Sequence, residues 1–351
     1  MATVLSTAKR LGDYHYTQEE VEPWLRQWLG DKGEARERVL QMCRNSRVGA
    51  RTSAVPIEEI FRERSFEEKN NLYKEKAIEL AEEAARRALE EAGVSPREID
   101  LIISVSCTGY MIPSVDAYLI NRLGMRPDAK RLPMTEMGCA AGATSLARAW
   151  EYLRAFPEHK VLVVSVELAT LTFQPGDFSM DNLVSAAIFG DGAAAAVLTG
   201  SARRPGAQIV DCRTTTLPDT IGLMGFHLSN SGFRIILSRE IPSAVRARVR
   251  PVVEDFLRDN GLALHEVRHL IFHPGGKRIL EVYNQELGVP EESLRFSLKM
   301  FREHGNVSSS SVLIILDEIL HRGEAEAGDA GLMLAMGPGF TIEQLLMRWK
   351  D

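Results

Sequence analysis

Residues 137–153 read MGCAAGATSLARAWEYL and residues 304–320 read HGNVSSSSVLIILDEIL, and these two stretches decide the fold. Each begins at a glycine-containing turn and continues as a helical pattern with apolar or very small residues on every face. Helices of this kind are buried. Their leading glycines, Gly138 and Gly305, lie 167 residues apart. We therefore expect two equivalent buried helices that pack side by side between two sheets.

The surrounding sequence repeats at nearly the same interval. A capping box at Ser65 and Glu68 begins an amphipathic helix that ends at Gly93, and a second amphipathic helix ends at Gly261, 168 residues later. An apolar strand follows each helix, LIISVSC in the first case and HLIFH in the second. The strand-like segments KVLVVSVE and AGLMLAMGPG keep a similar interval.

Repetition at a near-constant interval indicates a duplicated unit. The sequence therefore predicts two α/β halves, each with amphipathic helices packed on a sheet of short apolar strands. The halves are residues 1–200, which include an N-terminal extension, and residues 201–351. The expected join is GSARRPGA at residues 200–207, which is rich in small, basic and proline residues.

Composition narrows the class of protein. The chain has 351 residues, of which 45% are hydrophobic and 26% are charged, as is typical of a globular protein with a large core. Its formal net charge of −6 disfavours a nucleic-acid partner. No apolar run approaches the roughly 20 residues of a membrane span, and the first residues lack the apolar region of a signal peptide. We therefore expect a cytoplasmic protein.

The cysteines predict neither a disulfide framework nor a zinc knuckle, because their spacing is wide and irregular: Cys43, Cys107, Cys139 and Cys212. Cys139 differs from the others because it opens the first buried helix, where unpaired N–H groups and the helix dipole favour a thiolate. A lone cysteine is more often a small buried apolar residue. The duplication, however, aligns its turn with the turn at Gly305 and Asn306. We interpret Cys139 as a nucleophile with a lowered pKa.

A nucleophilic cysteine needs a base, and His273 is the candidate, because it ends the strand HLIFH and enters a Pro-Gly-Gly loop. With Cys139 and Asn306 it forms a Cys, His, amide set. Papain-like proteases share this order, but the chain lacks their C-G-[SA]-C-[WY] pattern. A zinc pair at His265 and His269 is a weaker interpretation, because no carboxylate or cysteine lies at ligand spacing.

These residues resemble the thiolase superfamily and, within it, the type III polyketide synthases, which are chalcone synthase-like enzymes. The resemblance covers nearly the whole chain and is carried by RLPMTEMGCAAGA, IFGDGAAAA, IFHPGGKRIL, GNVSSSSVLIILDE and GPGFT. It implies a thiolase-like fold of duplicated α/β halves in five layers, α-β-α-β-α. It also implies iterative condensation on coenzyme A (CoA) thioesters by a homodimer, with no bound cofactor and no metal.

The resemblance implies a role for each residue of the Cys, His, amide set. Cys139 attacks the starter acyl-CoA and holds the chain as a thioester, while His273 keeps the sulfur ionised in a thiolate–imidazolium pair. His273 and Asn306 then donate hydrogen bonds to the enolate oxygen that forms as malonyl-CoA loses carbon dioxide. The carbanion attacks the acyl thioester, and the cycle repeats before the chain cyclises.

The resemblance also implies a substrate cavity. Phe189 and Phe226 match gatekeeping aromatics between the CoA tunnel and the acyl cavity, and core packing is the alternative interpretation. Ala169 replaces a larger polar residue and widens the cavity. Ile112 replaces the methionine that reaches into the neighbouring subunit. Cys107, Glu167 and Ser308 are expected to form a polar network that helps choose how the chain closes. Thr172 is a further expected substrate-binding residue, and the loop Gly337, Pro338 and Gly339 is expected to shape the cavity wall.

For CoA itself, the resemblance implies backbone contact at Gly275 and Gly276 and a phosphate-binding cation at Arg38. Gln41 and Asn45 stand where cations are expected. The remaining arginines of this segment either compensate for them or are solvated charges: Arg44, Arg47 and Arg51.

The apolar wall and the segment DTIGLMGFHLSNSGFRIILSREIP (219–242) resemble alkylpyrone and alkylresorcinol synthases. We therefore expect a medium- or long-chain fatty acyl starter. A tetrahydroxynaphthalene-type synthase that uses malonyl-CoA alone is an alternative within the class. A non-catalytic thiolase-like binding subunit is the alternative from outside it.

Overall fold

The computed structural model describes residues 1–31, 33–201 and 205–350, so residues 202–204 of the predicted join lie outside the described part. The strands are β1 (Ala2–Leu11), β2 (Tyr14–Thr17), β3 (Ala50–Ser53), β4 (Leu101–Val105), β5 (Lys130–Met134), β6 (Lys160–Leu168), β7 (Asp191–Thr199), β8 (Gly206–Thr216), β9 (Met224–Ser229), β10 (Gly232–Leu237), β11 (His269–Phe272), β12 (Ala330–Gly337) and β13 (Thr341–Lys350). The helices are α1 (Gln18–Leu29), α2 (Gly33–Arg44), α3 (Ile57–Phe61), α4 (Phe66–Ala92), α5 (Val115–Leu123), α6 (Ala141–Ala155), α7 (Met180–Ile188), α8 (Ile241–Asp259), α9 (Lys277–Leu287), α10 (Arg295–His304) and α11 (Ser310–Arg322).

The strand order confirms the duplication. In the N-terminal half, β4 pairs with β6 in parallel, β6 pairs with β7 antiparallel, and β7 pairs with β1 antiparallel. In the C-terminal half, β11, β12, β13 and β8 repeat this order and these directions. The N-terminal half adds one edge strand, β5, beside β4.

The two half-sheets are joined into one sheet, whereas the sequence predicts two sheets. Residues Ala2–Val4 of β1 pair antiparallel with Ala207–Ile209 of β8, so the order is β11-β12-β13-β8-β1-β7-β6-β4-β5. Pairing between such distant segments uses the edge of each half-sheet and leaves neither edge unpaired at the junction.

The buried helices α6 and α11 lie side by side, as predicted. They approach so closely that a Cβ atom on Gly142 of α6 would come within 2.0 Å of the Ser309 carbonyl oxygen. Ser165 of β6 contacts the hydroxyls of Ser309 and Ser310, each at 2.8 Å. The small residues that identified these helices in the sequence are therefore the residues that permit their contact.

The five predicted layers, α-β-α-β-α, are held together by three apolar clusters that lie between helices and half-sheets. One lies between α4 and the outer face of the N-terminal half-sheet, where Ile102 points outward. The second surrounds α6 and α11 and takes side chains from both half-sheets, including Ile103 and Ile271. The third lies between the C-terminal half-sheet and α8 and α9, with Phe256 and Tyr283 at its centre. Adjacent residues of one strand thus belong to different clusters, as strand geometry requires.

The helix ends follow the sequence with one difference. Ser65 and Glu68 form the predicted capping box of α4, and Gly93 ends that helix in a left-handed conformation. The equivalent helix α8 ends at Asp259, with Asn260 as its C-cap, so Gly261 lies just beyond it. None of the helices in the described part combines the length and the apolar composition that a membrane span requires.

Candidate active site

Cys139 lies in the tight turn Gly138–Ala140 that leads directly into α6, as the sequence predicts. The turn is packed against the GPGFT loop. Gly138 has a φ of 50°, and a Cβ atom there would come within 2.5 Å of Pro338 Cδ. Glycine is therefore required for both conformation and space. The Cys139 side chain is buried, and its Sγ lies 3.4 Å from Ser308 Oγ.

His273 follows β11, and its backbone holds the ring in place. Its N–H donates to the Leu334 carbonyl oxygen at 2.8 Å, and its own carbonyl accepts from Tyr283 Oη at 3.2 Å. The ring is buried, and neither Nδ1 nor Nε2 has a hydrogen-bond partner within the described residues. Buried polar atoms are normally paired, so both ring nitrogens are available to a substrate.

Asn306 lies between α10 and α11, and its amide has a fixed orientation. Oδ1 accepts a hydrogen bond from the Ser308 N–H at 2.8 Å. The amide N–H₂ is therefore the group left for a substrate, and no acceptor in the described part of the chain occupies it. A donor in this position can stabilise a negatively charged oxygen.

The Cys139, His273 and Asn306 side chains meet in one cavity of about 1130 Å³. Small-molecule sites are usually roughly 300–1,000 Å³, so this cavity has room for a large substrate. Most of its wall is apolar and comes from α2, α7, the β9–β10 hairpin and the GPGFT loop: Met42, Met180, Val184, Ile188, Phe189, Met224, Phe226, Phe233, Ile235, Leu237, Met336 and Phe340. The substrate is therefore expected to have a large apolar part.

The predicted lowering of the Cys139 pKa is wrong for this structure. Burial raises the pKa of Cys139 to about 12, although the contact with Ser308 opposes the shift. Burial also lowers the pKa of His273 to about 4. No hydrogen bond joins the sulfur to either ring nitrogen of His273, so burial disfavours the thiolate and the imidazolium with no direct contact to offset it.

A polar network lies behind the nucleophile. Ser308 Oγ contacts the Cys139 and Cys107 sulfurs at 3.4 and 3.5 Å, and Cys107 Sγ in turn lies 3.5 Å from Glu167 Oε1. Glu167 is fully buried and also accepts from Thr108 Oγ1 at 2.8 Å and from Ser309 Oγ. Burial raises the pKa of Glu167, while these hydrogen bonds lower it. The structure thus brings Cys107, Glu167 and Ser308 together beside Cys139.

The other expected substrate residues divide into two groups. Those on the cavity wall are Phe189, Phe226, Cys107, Ala169, Thr172, Ser308, Pro338 and Gly339. Gly337 and Glu167 lie behind the wall. A Cβ atom on Gly337 would come within 2.3 Å of the Met137 carbonyl oxygen, so Gly337 packs on the nucleophile turn. Ile112 is 79% exposed and lies outside the cavity of this chain.

The arginines expected near CoA, on α2 and in the segment that follows it, are not part of the cavity wall. Arg38 is exposed and is not part of the wall, whereas Gly275 and Gly276 are. Arg44 Nη2 binds Glu22, Arg47 Nη1 binds Glu291 at 2.6 Å, and Arg51 is buried. The cations that do line the cavity are Arg239, Lys277 and Arg278. Lys277 and Arg278 follow the Pro-Gly-Gly loop directly. The two basic residues in the motif IFHPGGKRIL were therefore a sign of cations near the cavity, and the sequence interpretation did not use it.

No metal site accompanies this arrangement in the described residues, because no three His, Cys, Asp or Glu side chains are grouped to hold an ion. Of the pair considered in the sequence, His269 contacts Asp329 Oδ2 through Nε2 at 2.9 Å.

Comparison with known proteins agrees with this geometry. The family profile "Chalcone and stilbene synthases, N-terminal domain" matches residues 1–202, and the C-terminal domain profile matches residues 208–350. The chain belongs to the chalcone and stilbene synthase family. It is a type III polyketide synthase, as the resemblance implies, and it is therefore an acyltransferase.

Three relatives of this type III polyketide synthase are similar over more than nine tenths of their length. The 1,3,6,8-tetrahydroxynaphthalene synthase of Streptomyces peucetius subsp. caesius is 36% identical, over 99% of this chain and 93% of that protein. The crystal structure of the Streptomyces coelicolor A3(2) enzyme of the same name has a TM-score of 0.95 at 30% identity and covers 99% of both chains. Germicidin synthase from Streptomyces coelicolor has a TM-score of 0.92 at 26% identity, again with 99% of both chains covered.

Proposed function

We propose that the enzyme extends a medium- or long-chain fatty acyl-CoA with malonyl-CoA and cyclises the product to an alkylpyrone or alkylresorcinol. The observation that carries this proposal is the mostly apolar wall around Cys139, in a cavity of about 1130 Å³ that also includes the rim at Arg239, Lys277 and Arg278. Ala169 contributes to its size, because it is a buried wall residue with only a methyl group. Each methylene that enters such a wall gains about 0.8 kcal/mol, or about fourfold in affinity.

Loading of the starter begins from a neutral pair. As Cys139 Sγ attacks the thioester carbonyl, its proton passes to His273, whose ring nitrogens are unpaired. The bond from the carbonyl carbon to the CoA sulfur breaks, and the departing thiolate takes the proton from the imidazolium. Free CoA leaves, and Cys139 carries the acyl chain. Charge therefore appears only during the transfer, since burial disfavours it in the resting site.

Extension of the chain depends on two hydrogen-bond donors, Asn306 and His273. Malonyl-CoA binds with its thioester oxygen at Asn306 Nδ2 and at the N–H of the neutral His273 imidazole. The carboxylate leaves as carbon dioxide, and its electron pair forms the enolate that these donors stabilise. The α-carbon attacks the Cys139 thioester, the bond from the acyl carbon to the sulfur breaks, and the released thiolate takes from solvent the one proton that each decarboxylation consumes. Because the pKa of His273 is lowered, its ring stays neutral at this step and still has one N–H group to donate to the enolate oxygen.

The proposed CoA site lies at the rim of the cavity. Arg239, Lys277 and Arg278 are at least partly exposed and belong to the wall, and no carboxylate in the described residues pairs with them. Phosphates bind cations strongly. We assign the CoA phosphates to these three residues instead of Arg38, with the pantetheine arm running past Gly275 and Gly276 toward Cys139.

The proposed enzyme is a cytoplasmic homodimer. Support for the dimer comes from an exposed apolar loop, in which Tyr110 is 53% and Ile112 is 79% exposed. Large exposed apolar side chains that are neighbours often mark a protein interface.

A second candidate is tetrahydroxynaphthalene synthesis from malonyl-CoA alone. It is favoured by the 36% identity with the Streptomyces peucetius synthase of that name. The two functions share the loading and extension steps described above and differ in the starter and in the product formed on cyclisation.

The test is a starter series. The enzyme is incubated with labelled malonyl-CoA and acyl-CoA starters from acetyl to palmitoyl, and products are identified by mass spectrometry. We expect kcat/KM to rise about fourfold per methylene until the cavity is full. Product formation from malonyl-CoA alone, with no gain from any starter, would overturn the fatty acyl proposal in favour of the second candidate. If neither polyketide nor acylated protein formed from any starter or from malonyl-CoA alone, both candidate functions would fail.

A further inference from the structure

Arg51 of β3 is a buried cation without a carboxylate partner. Its side chain is 5% exposed, and within the described residues no Asp or Glu oxygen lies within ion-pair distance of it. Burial lowers the pKa of the guanidinium. Placing an ion in the interior without an opposite charge is unfavourable. Stability alone does not explain an arginine here.

The partners of Arg51 are backbone carbonyls at the end of α7. The guanidinium donates to the carbonyl oxygens of Ala186 and Ala187, the second at 3.1 Å, and to Gln18 Oε1 at 2.8 Å. The last carbonyls of a helix have no partner within it and carry the negative end of the dipole. Arg51 therefore binds the C-terminus of α7 electrostatically and by hydrogen bonds.

The end of α7 leads straight to two site residues. α7 ends at Ile188, and Phe189 follows in extended conformation. Asn306 N–H donates to the Ile188 carbonyl at 2.7 Å, and Gly190 N–H donates to the Asn306 carbonyl at 3.1 Å. Phe189 and Asn306 thus form a short parallel bridge that links the two halves of the fold.

This junction has little freedom. A Cβ atom on Gly190 would come within 2.2 Å of the His304 carbonyl oxygen, and one on Gly305 would come within 2.7 Å of the Ile188 carbonyl oxygen. The backbones are in contact on both sides of the bridge. A displacement of the end of α7 is therefore transmitted to Asn306 and cannot be absorbed by loose packing.

We propose that Arg51 is a positioning residue: by holding the end of α7, it fixes the positions of Phe189 and of the Asn306 amide. The inference deepens the proposed function, because Asn306 is there the donor to the enolate. Arg51 touches no substrate. Its loss moves a donor away from the position the enolate oxygen takes, and an error of about 1 Å in such a position costs up to about 100-fold in rate.

The test compares Arg51→Met, Arg51→Lys and a control, Arg44→Met, which removes an exposed arginine of the same segment. Two steps are measured separately, acylation of Cys139 by an acyl-CoA and decarboxylation of malonyl-CoA. For Arg51→Met we expect kcat for decarboxylation to fall about 10- to 100-fold, with the KM for malonyl-CoA and the rate of acylation within about threefold of wild type. Arg51→Lys recovers part of the loss, and Arg44→Met behaves as wild type.

Backbone hydrogen exchange gives a readout that does not need activity. In Arg51→Met, peptides that contain Gly190 and Asn306 should exchange faster, while peptides of α6 and α11 should keep their protection. Unchanged exchange at the junction, or equal losses of acylation and decarboxylation, would overturn the inference. If wild type performs neither step but exchange changes as expected, the proposed function fails and the positioning of the junction by Arg51 stands.

Discussion

Replacement of Asn306 by alanine tests how the site stabilises the enolate. Asn306 Oδ1 accepts from the Ser308 N–H at 2.8 Å, so the side chain presents its N–H₂ group to the cavity. Asn306→Ala removes that donor and leaves His273 as the other one. The backbone bridge to Phe189 uses only main-chain atoms of Asn306 and is retained. The substitution therefore removes one hydrogen bond to the reacting oxygen without breaking the backbone bridge.

The expected loss of decarboxylation rate follows from the loss of one of the two hydrogen-bond donors to the enolate oxygen. Loss of one donor to an oxyanion costs about 100- to 1000-fold in rate, or about 2.7–4 kcal/mol. The change also leaves the buried Ser308 N–H without an acceptor, which lowers the free energy of unfolding by about 1–3 kcal/mol. Starter loading makes no use of the amide, so its rate should be preserved.

Two assays separate these effects. Decarboxylation of malonyl-CoA to acetyl-CoA is followed by chromatography, and loading of an acyl-CoA on Cys139 is followed by the mass of the intact protein. Asn121→Ala serves as the control, because Asn121 is an exposed amide on α5, remote from the cavity. Decarboxylation within threefold of wild type would refute the donor role. Loading that falls as far as decarboxylation would refute the separation of the two steps.

Three further results are expected. Because burial raises the pKa of Cys139 to about 12, its alkylation by iodoacetamide should accelerate about tenfold per pH unit between pH 7 and 10; a rate that is already constant below pH 7 would indicate an ion pair. The double substitution Lys277→Glu and Arg278→Glu should raise the KM for an acyl-CoA about tenfold or more at low salt. The KM for an acyl-pantetheine, which lacks the phosphates, should stay unchanged. Equal changes of KM for both substrates would place the phosphates elsewhere. Gly142→Ala should lower the free energy of unfolding by several kcal/mol, because its Cβ would meet the Ser309 carbonyl at 2.0 Å, whereas Gly176→Ala, with open space around it, should have little effect on the melting temperature.

Much of the fold could be predicted because its signals are local or periodic. The small residues around Gly142 and Ser309 identified the two central helices, and the near-constant interval identified the duplication. The capping box of Ser65 and Glu68 determined where α4 begins. The pairing of β1 with β8 had no such signal, because it depends on contacts between residues some 200 positions apart.

The electrostatics of the site could not be predicted in the same way. The position of Cys139 at a helix N-terminus suggests a thiolate, but the enclosing loop at Pro338 and the neighbouring Ser308 bury the sulfur, and burial outweighs the helix. The sequence left open whether Arg44 and Arg47 compensate for missing cations or are solvated charges, and in the structure Glu22 and Glu291 bind them. Both outcomes depend on neighbours that only the tertiary structure supplies.

The most direct test of the central claim is to map the acyl group after a single turnover. The enzyme is mixed with a long-chain acyl-CoA in the absence of malonyl-CoA, digested, and analysed by mass spectrometry, with Cys139→Ala in parallel. The account predicts one acyl group, on the peptide that contains Cys139, which malonyl-CoA then converts to released polyketide. An acyl group on another residue, or polyketide from Cys139→Ala, would contradict it.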